Sequence, residues 1–467
     1  MIGRCLRGIT VFMHRNGSLP KTLWLILAVA LALRLTGAWR ANLIFDERAH
    51  WAMAETICFQ PGQIHLVSRT LDHPLMSIYV LKCSSLLLGT SDFALRIPYV
   101  LAGTLTVLSV YFLGRRVFGS SAGLWAAALL AVDQFHASWS RVFMPEVLML
   151  LFGSLVLLQF LRTLEKDTLR HYVLLGVLLA LAYLAKEPAI LLVPVLWIYL
   201  LVTPRHRRLL LRPRWYLAQG VFLLVVAPDV IWNLCQLGES YLYRDAVLAT
   251  GPWRLSMKSF SLYLGEAFCV LIGADVLEID YQQGNVYVCH WVAGVLYLVG
   301  VAAAATRWKS PEVRLMLVAF LFVFGVFFVL PGGERFEPFW WASLSLIPAV
   351  VCAGGLLGLR KGDDSNLPER PVRCFAQIGL IPFFLVLLLG YLGVRYVPVA
   401  WRTGPYQPRA SVDQFVADFL REGNIALEEG RLREARRRFI YVLNIGGPND
   451  DAYSGLAKTR RASGLER

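Results

Sequence analysis

Two adjacent carboxylates, Asp46 and Glu47, directly follow the first apolar stretch of the chain. Charged groups at a membrane boundary are costly unless they are solvated or used for function. A carboxylate at such a place could take the proton of a hydroxyl group as that hydroxyl attacks another molecule. From spacing alone, a solvated start of a loop is the simpler interpretation of the pair.

Further polar side chains recur beside later apolar stretches. Basic groups among them could hold an anionic group such as a phosphate. Taken singly, each of them could equally be a helix cap or a cation that reaches the lipid headgroups. These candidates are His73, Arg96, Arg141, Glu146, Lys186 and Arg335.

The elements that must position these residues are membrane helices. Of the 467 residues, 57% are hydrophobic and only 17% are charged. This composition excludes a large water-soluble enzyme, a disordered chain and a disulfide scaffold. Because about 20 helical residues cross the hydrocarbon core, the sequence predicts an all-α, polytopic membrane helix bundle. Eleven spans are predicted, at 21–39, 95–114, 121–139, 145–162, 171–187, 189–203, 215–235, 287–305, 313–331, 339–359 and 376–396.

Basic residues set the predicted orientation. With the C-terminal tail left out of the count, one set of alternate loops carries about twice as many Lys and Arg residues as the other, which predicts an N-terminus in the cytoplasm and a C-terminus outside. The net charge of +14 therefore needs no nucleic-acid partner. Segment 74–89 is short and carries Lys82, so we interpret it as a helix in the outer interface. With this topology, all the polar candidates lie on the external face.

Three segments lie outside the helix bundle. Two large external loops are predicted, 40–94 with short interfacial helices and 236–286 with several aromatic residues. The polar tail, 409–467, has the residue spacing of a tetratricopeptide repeat, so it could dock on the membrane body or on a protein partner. A plain helical hairpin is the alternative. The residues with this spacing are Phe419, Gly423, Ala435, Phe439 and Pro448.

The order of motifs resembles the GT-C glycosyltransferases that use polyprenyl-phosphate sugars. The resemblance runs through roughly the first 200 residues and more loosely to about residue 360, and it implies a membrane domain over residues 1–400. The protein O-mannosyltransferases and the bacterial aminoarabinose transferases of lipid A are the most similar members. No single motif is specific, but their order and spacing together are. The motifs are Asp46-Glu47, His73-Pro74-Leu75, Arg96-Ile97-Pro98, Arg115-Arg116-Val117-Phe118-Gly119, His136 to Arg141 with Glu146, and Leu181 to Lys186.

The resemblance implies a role for each candidate. Asp46 would be the catalytic base, and Glu47 would support it or bind the acceptor. Arg96 would face the lipid phosphate, with Arg141 and Lys186 as further candidates, while Arg335 matches a basic-aromatic pair before a late span. The chain departs from the family pattern at Leu75, where a second proline is usual, and at Glu146, where Asp is usual. It also lacks a β-trefoil domain, so the acceptor stays open.

The reaction implied is an inverting transfer of a hexose or pentose to a hydroxyl of a protein, a lipid or a glycan. No cofactor is required, although a divalent ion at Asp46 or Glu47 stays open. The expected location is a bacterial inner membrane, with the site on the periplasmic face among membrane lipids. The alternative class is a transporter or a flippase for lipid-linked sugars. Against it, the sequence shows no internal repeat, and the charges lie at one membrane edge rather than at mid-membrane.

Overall fold

The computed structural model describes residues 19–40, 45–55, 57–60, 63–65, 74–237, 290–326, 343–358, 412–432, 435–436, 438–439, 442–443 and 449–462. These residues are almost entirely helical. The predicted span 376–396 and nearly all of the predicted loop 236–286 lie outside the described residues. Helices occupy the other predicted spans wherever they are described.

The described residues in the first third of the chain form seven helices and one pair of short strands. The helices are α1 (Lys21–Arg40), α2 (Phe45–Glu55), α3 (Met76–Leu88), α4 (Asp92–Phe118), α5 (Ser120–Val132), α6 (Gln134–Trp139) and α7 (Pro145–Glu165). Between α2 and α3, strands β1 (Cys58–Gln60) and β2 (Gln63–His65) pair in antiparallel register, with Phe59 opposite Ile64. The loop predicted to hold only short helices therefore also contains a small β-hairpin.

The remaining described helices complete the bundle and the tail. They are α8 (Leu169–Ala185), α9 (Leu192–Val202), α10 (Pro213–Leu237), α11 (His290–Ala305), α12 (Pro311–Val326), α13 (Leu346–Leu357), α14 (Val412–Glu428) and α15 (Asp450–Ala462). Three short 3-10 helices lie at Glu187–Leu191, Arg207–Leu211 and Ser343–Ser345. Within the part of the chain that the structure describes, three helices are long and apolar enough to cross a membrane: Asp92–Phe118, Pro145–Glu165 and Pro213–Ile231. Several shorter apolar helices pack beside them.

Helix α4 is the centre of the described bundle, because it packs against α1, α3, α5 and α7. It begins at Ser91, whose side chain accepts a hydrogen bond from the Ala94 N–H at 3.2 Å, as expected of an N-cap. It ends at Gly119, which has a φ of +101° and turns the chain back into α5. The two helices approach closely where Gly114 faces Gly123.

The structure divides the predicted span 121–139 into two helices. Helix α5 ends at Val132, and Asp133 has a non-helical ψ of 127°. The Asp133 side chain instead accepts a hydrogen bond from the His136 N–H at 2.9 Å and so begins α6. The apolar periodicity of the sequence does not reveal this break. The break arises because the Asp133 side chain caps a new helix, which competes with continuation of the first one.

Candidate active site

Five of the residues predicted to do chemistry lie at one end of the bundle, which we call the site end: Glu47, Arg96, Arg141, Glu146 and Lys186. Helices α1, α5 and α8 finish there, while α4 and α7 begin there. The Arg96 guanidinium at the start of α4 donates from Nη1 to the Ala38 carbonyl near the end of α1, at 3.1 Å. The opposite end carries basic residues that pair with acidic ones, such as Arg116 with Glu165 and Arg212 with Asp167.

Glu47 and Arg96 form a buried, two-point ion pair at the site end. Arg96 donates from Nε to Glu47 Oε1 at 2.8 Å and from Nη2 to Oε2 at 2.6 Å. Both side chains are 0% exposed. The Phe143 N–H also donates to Glu47 Oε1, at 3.1 Å. Glu47 therefore holds α2, α4 and the segment before α7 together, and both of its oxygens already accept protein hydrogen bonds.

Asp46 lies beside this pair, in the first turn of α2 (Phe45–Glu55). Its side chain, like all of His73 and Arg335, is outside the described residues. Asp46 and Glu47 are adjacent residues of the same helix. The buried position of Glu47 therefore also limits where the backbone of Asp46 can lie.

Glu146 and Lys186 form a second buried ion pair. Lys186 Nζ donates to Glu146 Oε1, and the two side chains are 6% and 0% exposed, respectively. Glu146 stands in the first turn of α7, where the helix dipole favours a negative charge. Lys186 follows the last residue of α8. Within the described part of the chain, Glu146 Oε2 has no hydrogen-bond partner.

Arg141 differs from the other two basic candidates in its exposure. It lies in the turn after α6 and is partly exposed, whereas Arg96 and Lys186 are buried. Its Nη2 donates to the Ser138 hydroxyl at 3.2 Å. Among these three predicted cations, Arg141 is therefore the most accessible to a ligand.

The sequence interpretation missed Arg34, which lies within α1 and is 0% exposed. Its guanidinium donates to the carbonyls of Ala30 and Ala131 at 2.9 and 3.1 Å, and it lies 2.8 Å from His136 Nδ1. An arginine inside an apolar span was the available signal, since such residues mark functional or structural sites.

Among the residues that the structure describes, no group of three or more His, Cys, Asp or Glu side chains could hold a metal ion. The described site is instead made of ion pairs and hydrogen bonds. Its chemistry is the binding of anions by guanidinium groups and the handling of protons by carboxylates.

The chain is similar to one known protein family in sequence. Residues 72–232 match the family described as dolichyl-phosphate-mannose-protein mannosyltransferase. This range contains Arg96, Arg141, Glu146 and Lys186. No significant match was found among curated protein sequences.

Solved structures extend the similarity over most of the chain. ArnT from Cupriavidus metallidurans, bound to undecaprenyl phosphate, is 17% identical with a TM-score of 0.56, and the match covers 96% of this chain and 79% of ArnT. In its apo state, ArnT gives a TM-score of 0.55 at 17% identity, over 94% of this chain and 77% of ArnT.

An oligosaccharyltransferase from Archaeoglobus fulgidus, in complex with Zn and sulfate, has a TM-score of 0.53 at 15% identity. That match covers 92% of this chain and 58% of the archaeal protein. The chain thus shares the fold of ArnT and of this archaeal oligosaccharyltransferase. Together with the family match, this shared fold supports the resemblance predicted from the sequence.

Proposed function

We propose that this GT-C-fold protein is an integral-membrane inverting glycosyltransferase. It would move a sugar from a polyprenyl-phosphate donor to a hydroxyl acceptor on the external face of the membrane. The observation that carries the proposal is the Glu47–Arg96 clamp, with its 2.8 and 2.6 Å hydrogen bonds, beside Asp46. It holds the acidic pair at the bundle end that also carries Arg141, Glu146 and Lys186.

The donor class rests on two similarities. The matching family is described by its use of dolichyl-phosphate-mannose, and a structure of the same fold binds undecaprenyl phosphate. Both molecules contain a polyprenyl phosphate, which has a long apolar chain and an anionic head. Such a lipid fits a site at the end of apolar helices, where its chain stays among hydrocarbon while its phosphate meets basic side chains.

Asp46 is the proposed base. Since both Glu47 oxygens accept hydrogen bonds from Arg96 and Phe143, Glu47 is suited to support its neighbour rather than to take up a proton. Asp46 would remove the acceptor's hydroxyl proton as the hydroxyl oxygen attacks the anomeric carbon. The bond between that carbon and the phosphate oxygen breaks at the same time, which inverts the configuration.

The departing polyprenyl phosphate gains a negative charge in this step, and a cation near it lowers the barrier. We assign this contact to Arg141, because it is the most accessible of the three described candidates. Arg96 and Lys186 are buried against Glu47 and Glu146, so they would act as charged neighbours that shape the site. His73 and Arg335 stay predictions from the resemblance.

The location of the site and the role of the tail are further parts of the proposal. We propose a periplasmic site in a bacterial inner membrane. The tail would contact a protein partner or the membrane body. Its helices α14 and α15 share a small core in which the Phe439 ring packs against Gly423 and Gly455. This close packing at glycine positions supports a compact helical unit of the repeat type.

The decisive experiment incubates the purified protein in detergent with a radiolabelled polyprenyl-phosphate sugar and a mixture of candidate acceptors. A transferase releases free polyprenyl phosphate and labels an acceptor. A flippase releases none, since it moves the intact lipid. Absence of release by the wild-type protein with every donor and acceptor would overturn the proposal.

Replacing the proposed base gives the first specific prediction. Asp46→Asn should leave the protein folded and inserted but reduce sugar transfer on the order of 10²–10⁴-fold, the usual contribution of a general base. Asp413→Asn is the matched control, because Asp413 also lies in the first turn of an α-helix, in the tail. Full transfer activity in the Asp46 variant would reject the assignment.

A further inference from the structure

A buried polar network joins α1, α5, α6 and α11 at the site end. At its centre, the Arg34 guanidinium donates to the Leu130 and Ala131 carbonyls, at 3.4 and 3.1 Å. These carbonyls belong to the last turn of α5, which leaves such groups without helical partners. A cation buried here is costly, and the helix C-terminus offsets part of that cost through its partial negative charge.

The same guanidinium fixes the ring of His136. Its Nη2 lies 2.8 Å from His136 Nδ1, and His136 is 0% exposed. Because a guanidinium can only donate hydrogen bonds, Nδ1 must accept, and the imidazole is neutral with its proton on Nε2. Arg34 therefore selects one tautomer and one ring orientation for a residue of α6.

Asp133 secures the beginning of α6 from the other side. One carboxylate oxygen accepts from the His136 N–H at 2.9 Å, and the other accepts from the Tyr297 hydroxyl at 2.8 Å. Tyr297 belongs to α11. Helix α6 is thus held by α1 through Arg34 and by α11 through Tyr297.

The segment that follows α6 carries the proposed phosphate contact. Helix α6 is only six residues long. A change in the orientation of the helix at His136 would therefore also move the residues at its C-terminal end. There, the Arg141 guanidinium bonds to Ser138, and the Phe143 N–H bonds to Glu47. Neighbouring Ser140 lies against Gly103 of α4, where any Cβ atom would collide with the serine side chain.

We propose that Arg34 and His136 are positioning residues, which orient α6 so that Arg141 faces the donor phosphate. This inference rests on the proposed function. The contact of Arg34 with His136 would set the affinity for the lipid phosphate without touching it. Neither residue would bind the substrate.

The test measures the dissociation constant for undecaprenyl phosphate in detergent. His136→Leu removes the acceptor of the Arg34 hydrogen bond, and we expect its Kd to rise about tenfold, the equivalent of one such bond. His136→Asn should stay near the wild-type Kd, because its amide oxygen can accept where Nδ1 does. Arg34→Lys keeps the positive charge but loses the several N–H donors of the guanidinium group. Its Kd should therefore rise as it does in His136→Leu.

A double-mutant cycle separates positioning from a general structural role. In an Arg141→Gln background, His136→Leu should weaken binding no further, because its effect acts through Arg141. Ser154→Ala is the matched control, since it removes a buried hydrogen bond between α7 and Ser109 of α4. It should leave the Kd unchanged, and thermal unfolding should report any general loss of stability in each variant.

The outcomes distinguish the two proposals. If wild-type protein does not bind undecaprenyl phosphate, the proposed function fails and this inference fails with it. If wild-type protein binds and Arg141→Gln weakens binding, but His136→Leu does not, the inference alone is overturned. Equal loss in His136→Leu and His136→Asn, or additive losses in the cycle, would also overturn it.

Discussion

At the scale of single residues, the acidic pair after α1 divides into two roles. Glu47 is buried, and its carboxylate accepts two hydrogen bonds from the Arg96 guanidinium. Breaking a buried pair by removing one partner leaves an uncompensated charge, whereas removing both partners can be nearly neutral. The Glu47–Arg96 pair can therefore be tested for stability and for function separately.

Glu47→Gln should lower the free energy of unfolding by about 3–5 kcal/mol, the usual cost of breaking a buried pair. The double variant Glu47→Leu with Arg96→Met should recover most of that stability, since it leaves neither charge unpaired. It should still fail to transfer sugar, because the ion pair that positions the segment around Asp46 is then absent. Thermal unfolding and sugar transfer in detergent check the two parts. An unchanged melting temperature in Glu47→Gln would contradict the predicted loss of stability.

The sequence indicated which residues are chemically suited to the site but not how they pair. Asp46, Glu47 and Arg96 were singled out by type, by order and by family resemblance. That Arg96 meets Glu47 depends on how α2 and α4 pack across 49 positions of the chain, and no local pattern carries this information. Arg34 was missed for a related reason, since a single cation among apolar residues does not alter the pattern of a span.

At the scale of helices, glycines set the spacing of α4, α5 and α13. A Cβ atom at Gly123 would lie 2.5 Å from the Tyr111 carbonyl oxygen and 2.8 Å from the Arg115 nitrogen. One at Gly354 would lie 2.6 Å from the Ala122 carbonyl oxygen. Since backbone atoms of a packed helix cannot move aside cheaply, close helix approach is possible only because these side chains are absent.

Gly123→Ala should therefore destabilise the protein by about 1–3 kcal/mol, as overpacked cores do. Gly220→Ala is the matched control, because no atom lies within 4 Å of a Cβ placed there. The control should be neutral or slightly stabilising, since alanine favours helix. Melting temperatures of the two variants in one detergent make the comparison, and an equal effect in both would contradict it.

The stability of the folded protein depends on pH through the connection between α9 and α10, which contains His206. Burial, and secondarily the positive charge of Arg205, lowers the pKa of His206 below its ordinary value of 6.5. The unfolded chain therefore binds a proton before the folded protein does as the pH falls below that value. Since the unfolded state gains more from protonation, the folded state loses stability across this window.

Replacing His206 should remove that part of the pH dependence. His206→Asn keeps an acceptor for the Tyr199 hydroxyl, which lies 2.8 Å from Nδ1, but it does not titrate. Between pH 7 and pH 5, its melting temperature should fall less than that of the wild-type protein. Identical slopes would show that His206 makes no contribution.

At the scale of the whole molecule, polar chemistry and basic charge lie at opposite ends of the helix bundle. The site end holds the Glu47–Arg96 and Glu146–Lys186 pairs. The other end holds Arg212 and Arg214, at the start of α10, with their partner Asp167. The sequence predicted a division of this kind from the alternation of basic residues between the loops, and which end faces the outside stays a prediction. The division of the span 121–139 and the β-hairpin after α2 were not predictable in this way, because both depend on local capping and pairing.

Labelling tests the predicted orientation. In intact cells, a membrane-impermeant maleimide should react with Thr90→Cys near the site end but not with Lys309→Cys at the other end. Both substitutions are made in a chain whose native cysteines, including the exposed Cys83, are replaced by serine. Both positions are exposed at the protein surface, so the two variants then differ in the side of the membrane from which they can be reached. After the cells are opened, both should react. Labelling of Lys309→Cys alone in intact cells would invert the topology.

The hydrogen bond from Tyr297 to Asp133 links residues 164 positions apart. A ribosome needs about 10–30 s to make that much chain at ordinary elongation rates. During this interval, the first helices can enter the bilayer while Asp133 still lacks its tyrosine partner. The contact between Asp133 and Tyr297 therefore forms late in biogenesis. A chain whose synthesis stops before α11 would insert its early helices without this buried hydrogen bond.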